Sequence, residues 1–140
     1  MRVYDATGQI LGRLSTHVVK DLLKGEQVYV LNCEKAVISG DPARTKKQYL
    51  ERRQRGDRDH GPFFPRAPDQ IVKRTIRGML PIKVQKGQKA FRRLKVHVGI
   101  PKELSKQEAI RPEDSNANRL KCKSLSVEEL SLWLGTKKRW

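Results

Sequence analysis

Two short apolar segments flank a helical pattern in the first third of the chain, and this arrangement most constrains the fold. Residues 2–7 are partly β-branched and lead into a turn at Gly8, and residues 27–32 form a second β-branched segment. Between them, over residues 9–25, apolar side chains recur at helical spacing, and Gly25 stands where a C-terminal cap belongs. A helix between two strands predicts a βαβ unit, which favours a parallel sheet with a right-handed crossover.

The rest of the chain predicts shorter elements around an irregular loop. Asp41 is suited to cap a helix and Pro42 to occupy its first position, while Pro81 ends a later helix. After residue 35 the sequence predicts a strand over 36–39, a helix over 43–55, a Gly- and Pro-containing loop over 56–68 and a helix over 69–80. A Lys/Gly-rich loop over 82–88, a short helix over 88–94 and a strand over 94–99 follow. A polar tail over 100–123 is expected to wrap the surface, and a last helix is capped by Ser126 and ends at Gly135.

Positive charge is concentrated in the middle of the chain. Residues 1–43 carry 5 basic and 5 acidic side chains, residues 44–95 carry 17 and 4, and residues 96–140 carry 9 and 6. With 140 residues we expect one domain made of these three parts. A basic block beside a neutral, apolar-patterned block predicts a folded platform that presents a polyanion-binding surface, and the abundant cellular polyanion is nucleic acid.

Several other classes of protein are not expected from this composition. No apolar run approaches the roughly 20 residues that cross a bilayer, and the start of the chain has no apolar signal segment. Cys33 and Cys122 lie far apart, which predicts reduced thiols rather than a disulfide or a metal site. His17, His60 and His97 are isolated from one another in the sequence. We therefore predict no catalytic residues, no metal site, no membrane contact and no small-molecule substrate.

The residues predicted to contact phosphate are basic side chains of the central block. On the helix over residues 69–80, Lys73, Arg74 and Arg77 lie opposite an apolar set that includes Met79, and no acidic residue occurs between residues 70 and 102. Such self-repulsion is best tolerated where a polyanion neutralises it. The predicted set is Arg44, Lys46, Lys47, Arg52, Arg53, Arg55, Arg58, Arg66, Lys73, Arg74, Arg77, Lys83, Lys86, Lys89, Arg92 and Arg93.

The loop over residues 56–68 leaves alternatives open. Phe63 and Phe64 either stack on unpaired bases or fill a hydrophobic gap under the loop. Asp57, Asp59 and His60 would allow a metal-dependent nuclease, although adjacent arginines offer these carboxylates a simpler, local partner. A free-standing nucleic-acid-binding regulator is a further alternative, although no helix-turn-helix pattern is present.

Three glycines and a proline are expected to have structural roles. Gly8 is expected to form the turn, Gly12 to let the first helix approach the sheet, and Gly78 to allow close packing before Pro81 ends its helix. Backbone amides between Gly8 and Gly12 could alternatively cradle a phosphate.

Separate blocks of the sequence, in a fixed order, resemble the large-subunit ribosomal protein L13 family. They are DATGQILGRL at 5–14, NCEKAVISG at 32–40, and IRGMLP at 76–81 together with AFRRLKVHVG at 90–99. The short start, the GPFFPRAP loop and the extended tail resemble the archaeal or eukaryotic branch of the family. The resemblance implies a three-layer α/β/α fold with a small, mainly parallel sheet. It also implies a cytoplasmic, non-catalytic component of the large ribosomal subunit that binds 23S-type rRNA beside neighbouring ribosomal proteins, with no cofactor.

Overall fold

The computed structural model describes residues 1–138 and 140, and its regular elements belong to the α/β class. The helices are α1 (Leu11–Leu23), α2 (Pro42–Gln54), α3 (Pro68–Met79), α4 (Gln85–Arg92) and α5 (Val127–Trp133). The strands are β1 (Arg2–Asp5), β2 (Val28–Leu31), β3 (Val37–Ser39), β4 (Leu94–Val96) and β5 (Ser124–Ser126).

The parallel sheet predicted from the first 32 residues is confirmed. Strand β2 is central, with β1 and β4 parallel to it on either side, so that Val3 lies opposite Tyr29 and Val30 opposite Val96. Helix α1 connects β1 to β2 and buries Leu14 and the other apolar residues of its periodic face. The predicted late strand, β4, completes this sheet.

Strands β3 and β5 form a separate two-stranded antiparallel sheet. Ile38 lies opposite Leu125, and Val37 lies opposite Ser126. Ser126 directly precedes the first residue of α5. Strand β3 was predicted from its β-branched residues, but β5 was not, because its sequence, Ser-Leu-Ser, holds a single apolar residue. Its pairing partner is also more than 80 residues away in the chain.

The two faces of the three-stranded sheet are covered differently. Helices α1, α3 and α4 pack over the face that carries Tyr4, Val30 and Leu94, and their apolar residues share one core with it. On the opposite face, Val3 and Leu31 pack on Leu104, which belongs to a 3₁₀ turn of the tail. The third layer implied by the resemblance is therefore represented, in the described residues, by this turn rather than by an α-helix. Two buried side chains offer too little apolar area to bury the wide face of a helix.

The predicted ends of α3 and α4 need small corrections. Helix α4 begins at Gln85, three residues earlier than predicted, because its lysines and Gly87 hide the helical period. Met79, predicted to belong to the apolar face of α3, is 42% exposed. It is the last residue of α3, and Leu80, directly after it, packs in the core instead.

The tail is attached to the outer edge of β1, an edge strand of the parallel sheet, by backbone and side-chain contacts. The Ile110 N–H donates to Val3 O at 2.8 Å, and the Asp5 N–H donates to Ile110 O at 3.1 Å. The buried Asp5 carboxylate accepts from Asn32 Nδ2 at 3.0 Å and from Arg111 Nε at 2.9 Å. Burial alone would raise the pKa of Asp5, but the hydrogen bonds from Asn32, Thr7 and Arg111 lower that pKa to about 2.

Candidate nucleic-acid interface

Helix α2 carries five of the sixteen predicted phosphate contacts, at Arg44, Lys46, Lys47, Arg52 and Arg53. Its N-terminus forms as predicted, with Pro42 in the first turn and the Asp41 carboxylate accepting from the Arg44 N–H at 3.1 Å. Thr45 is its buried residue, and Tyr49 packs partly against the core. Because so little of α2 is buried, its basic side chains extend from an exposed helix.

The cations of the central block lack acidic partners. Within the described part of the chain, one ion pair involves a residue from 44 to 95: Arg58 Nε lies 4.0 Å from Asp59 Oδ1, with both side chains over 80% exposed. A pair this open contributes almost nothing to stability. Outside the block the carboxylates are well used, for example in Arg111–Asp5 and Lys138–Glu128. The positive charge of residues 44–95 is therefore not neutralised by acidic residues of the same block, and the fold brings almost no carboxylate from elsewhere to it in the described part of the chain.

An aromatic–arginine cluster, formed by Tyr49, Arg52, Phe64 and Arg74, joins α2 to α3 through the loop. The rings of Tyr49 and Phe64 meet edge to face with centroids 5.6 Å apart. The Arg74 guanidinium lies 4.7 Å from the Phe64 centroid, and that of Arg52 lies 5.5 Å from the Tyr49 centroid. Burial raises the pKa of Tyr49 despite the nearby Arg52. Of the two open alternatives, Phe64 thus adopts the packed one.

A turn and a cation–ring contact connect α3 to α4. Lys73 Nζ lies 5.4 Å from the centroid of the Phe91 ring. At Gly87, a Cβ would lie closer than 3.0 Å to both the carbon and the oxygen of the Pro81 carbonyl. The first turn of α4 can therefore pass over Pro81 only because residue 87 has no side chain, and this contact sets where the cations of α4 point.

The structure changes the roles predicted for two glycines. Gly8 does form the turn, with φ +63°. At Gly12 and Gly78, a Cβ would meet no heavy atom within 4 Å, so close packing does not explain glycine at either position and those predictions were wrong. Gly87, which the sequence analysis missed, is the residue that packs closely. The proline and following Lys/Gly-rich turn were the available signal, since a sharp turn into a helix often needs such a residue.

Besides Arg74 of the aromatic–arginine cluster, two more of the predicted phosphate contacts also serve the fold. Arg93 Nη2 donates to Leu22 O at 3.1 Å, which satisfies a carbonyl in the last turn of α1. Arg53 Nη1 donates to Leu134 O at 2.6 Å and so ties α2 to the end of α5. We use the name basic surface for those members of the predicted set that are exposed and do not donate a hydrogen bond of this kind. They are Arg44, Lys47, Arg52, Arg55, Arg58, Arg66, Arg77, Lys83, Lys86, Lys89 and Arg92.

Comparison with known proteins places this chain in a family. The family described as Ribosomal protein L13 matches residues 1–103. This chain belongs to the ribosomal protein L13 family. Proteins named large ribosomal subunit protein uL13 are similar to it: that of Methanosarcina barkeri is 50% identical over 98% of this chain and 99% of its own length. The corresponding proteins of Archaeoglobus fulgidus and Sulfolobus acidocaldarius are 46% and 47% identical over 95% of this chain, and over 86% and 92% of their own lengths.

These relatives confirm the L13 resemblance, and in particular its archaeal character. The matched residues 1–103 include the parallel sheet, α1 to α4 and the whole basic surface, whereas most of the tail lies beyond them. L13 proteins are structural components of the ribosome rather than enzymes.

The nuclease alternative finds no support in this L13 chain. Asp57 Oδ1 accepts from the Arg58 N–H at 2.7 Å, and the Asp57 N–H donates to His60 O at 2.9 Å, so these residues stabilise the turn of their own loop. Across residues 1–138 and 140, no three His, Cys, Asp or Glu side chains are grouped to hold a metal ion. Cys33 and Cys122 are free thiols, and burial raises the pKa of Cys33.

No helix in the described part of this L13 chain combines the length and apolar character that a bilayer span requires.

Proposed function

We propose that this protein is a structural constituent of the large ribosomal subunit in the cytoplasm, where it binds and stabilises 23S-type rRNA and contacts neighbouring ribosomal proteins. Its relatives are named as large-subunit proteins. The observation that carries the RNA contact is the basic surface, whose cations have no acidic partner among the described residues beyond the open Arg58–Asp59 pair. Lysines and arginines on exposed helices suit phosphate contacts, which fix position and orientation on RNA.

The arrangement of the elements supports one continuous RNA-facing region. The aromatic–arginine cluster links α2 to α3, and the Lys73–Phe91 contact links α3 to α4. A rigid surface that engages several phosphates at once binds better than the same cations on a flexible chain, because less side-chain and loop entropy is lost on binding. The neutral βαβ platform then serves to hold the helices in place.

The salt dependence of binding to 23S rRNA tests this proposal. Each phosphate contact contributes roughly 0.7–0.9 to the slope of log K against log salt concentration, so several contacts should give a slope of several. Changing Lys86→Gln and Lys89→Gln together should reduce that slope by roughly 1.4–1.8.

The matched control is Lys102→Gln with Lys106→Gln, which removes two exposed cations of the tail. This double variant should keep the original slope. A slope near zero for the unmodified chain, or an equal reduction by both double variants, would contradict binding through the basic surface.

A further inference from the structure

The aromatic ring of Phe63 is exposed, whereas that of its neighbour Phe64 is packed. Among the described residues, it is the most exposed large hydrophobic side chain, at 68%, whereas Phe64 lies in the aromatic–arginine cluster. An aromatic ring in water forgoes the free energy that burial would supply. The fold therefore packs one of two adjacent phenylalanines and leaves the other open beside the basic surface.

The Phe63 ring is held in place despite its exposure. A Cβ at Gly61 would lie 3.2 Å from Phe63 Cδ2 and 3.4 Å from its Cε2, so one edge of the ring occupies the space that a side chain at Gly61 would fill. The Phe63 carbonyl accepts from Arg74 Nη1 at 3.4 Å, and Pro62 and Pro65 restrict the backbone on both sides. With Phe64 packed next to it, the backbone that carries the ring is restrained, so less loop entropy is lost on binding.

We propose that Phe63 is a stacking site for an unpaired nucleobase of the bound RNA. A base offers a flat π-face that a fixed aromatic ring can cover, and stacking of this kind does not depend on base identity. The guanidinium of Arg74 lies beside the Phe63 backbone, and Arg58 and Arg66 are exposed on the same loop. These cations would hold the phosphates that flank the stacked nucleotide. This inference rests on the proposed function, and it assigns the loop a contact that charge alone does not supply.

The test compares variants of Phe63 in binding to transcribed 23S rRNA from Methanosarcina barkeri. Stacking on one base is worth roughly 1–3 kcal/mol, so Phe63→Ala should weaken binding by about 5-fold to about 150-fold. Phe63→Trp and Phe63→Tyr should bind like the unmodified chain, because both keep a π-face. Phe63→Leu should be weakened nearly as much as Phe63→Ala.

Two further measurements separate stacking from other roles of the loop. Phe63→Ala should leave the salt slope unchanged because it removes no charge, and it should leave the unfolding midpoint unchanged because the side chain is exposed. The control is Val84→Ala, an exposed apolar residue at 57% that lies between Lys83 and Lys86 and has no π-face. It should bind like the unmodified chain.

Three results would overturn the stacking site. They are normal rRNA affinity for Phe63→Ala, full affinity for Phe63→Leu, or a reduced salt slope in Phe63→Ala. Normal rRNA affinity combined with poor incorporation into large subunits would instead assign Phe63 to a protein contact. If the unmodified chain failed to bind 23S rRNA, the proposed function itself would be wrong and the stacking site with it.

Discussion

Replacing Gly87 by alanine should break the connection between α3 and α4. The added Cβ would lie closer than 3.0 Å to the carbon and oxygen of the Pro81 carbonyl and 3.0 Å from the Ile82 nitrogen. All three atoms belong to the backbone, so no side-chain rotation relieves the overlap. The first turn of α4 must therefore move away from Pro81, and the cations at Lys86 and Lys89 move with it.

The size of the effect follows from two opposing terms. Overpacking a tight site costs about 1–3 kcal/mol, and a neighbour made of backbone places Gly87→Ala at the upper end. Alanine in place of glycine within a helix returns about 1 kcal/mol. We expect a net loss of about 2 kcal/mol in the free energy of unfolding. Affinity for 23S rRNA should also fall, with a smaller salt slope, because cations of α4 lose their phosphates.

Gly78→Ala is the matched control, since the same atom is added in a helix where nothing lies within 4 Å. It should stabilise the protein by about 0.5–1 kcal/mol and leave rRNA binding intact. Urea unfolding followed by circular dichroism measures both variants. If Gly87→Ala were as stable as the unmodified chain, or if both changes had the same sign, the close contact at Pro81 would not have the importance we assign to it.

Two further predictions concern residues that connect elements of the fold. The pKa of Asp5 is about 2 in the folded protein against a usual 3.8, so its ionised form contributes about 2 kcal/mol of stability above pH 4, which is lost as the pH falls towards 2. The free energy of unfolding, measured with urea at pH 4.5 and pH 2.5, should differ less between the two pH values in Asp5→Asn than in the unmodified chain, and an unchanged difference would refute this. Arg93→Gln should lower the free energy of unfolding by about 1–2 kcal/mol, because it removes the hydrogen bond to Leu22 O. Arg92→Gln should leave the free energy of unfolding unchanged and reduce the salt slope of rRNA binding by about 1. Equal stability of the two variants would count against the fold role of Arg93.

Local patterns in the sequence predicted the elements whose signals are strong over many residues. Helix α1 was predicted because its apolar face repeats through Leu22, and α2 because Asp41 and Pro42 mark its start. The parallel pairing of β1 and β2 followed from chain connectivity alone, since a helical crossover returns the second strand in the same direction. The central charge needed only counting, and so the basic block was found without any knowledge of the fold.

Tertiary structure decided what each of those residues touches. Phe63 and Phe64 are adjacent and chemically identical, yet only Phe64 meets a ring from α2, which is distant in the chain. A Cβ at Gly87 would overlap the Pro81 carbonyl, whereas one at Gly78 would meet no heavy atom within 4 Å. Of the adjacent Arg92 and Arg93, Arg93 reaches the Leu22 carbonyl at the end of α1. Periodicity and charge are properties of neighbouring residues, so the sequence determined the elements and the sign of the surface. Contacts between distant segments depend on how whole elements pack, and they decided which glycine, which aromatic ring and which arginines serve the fold.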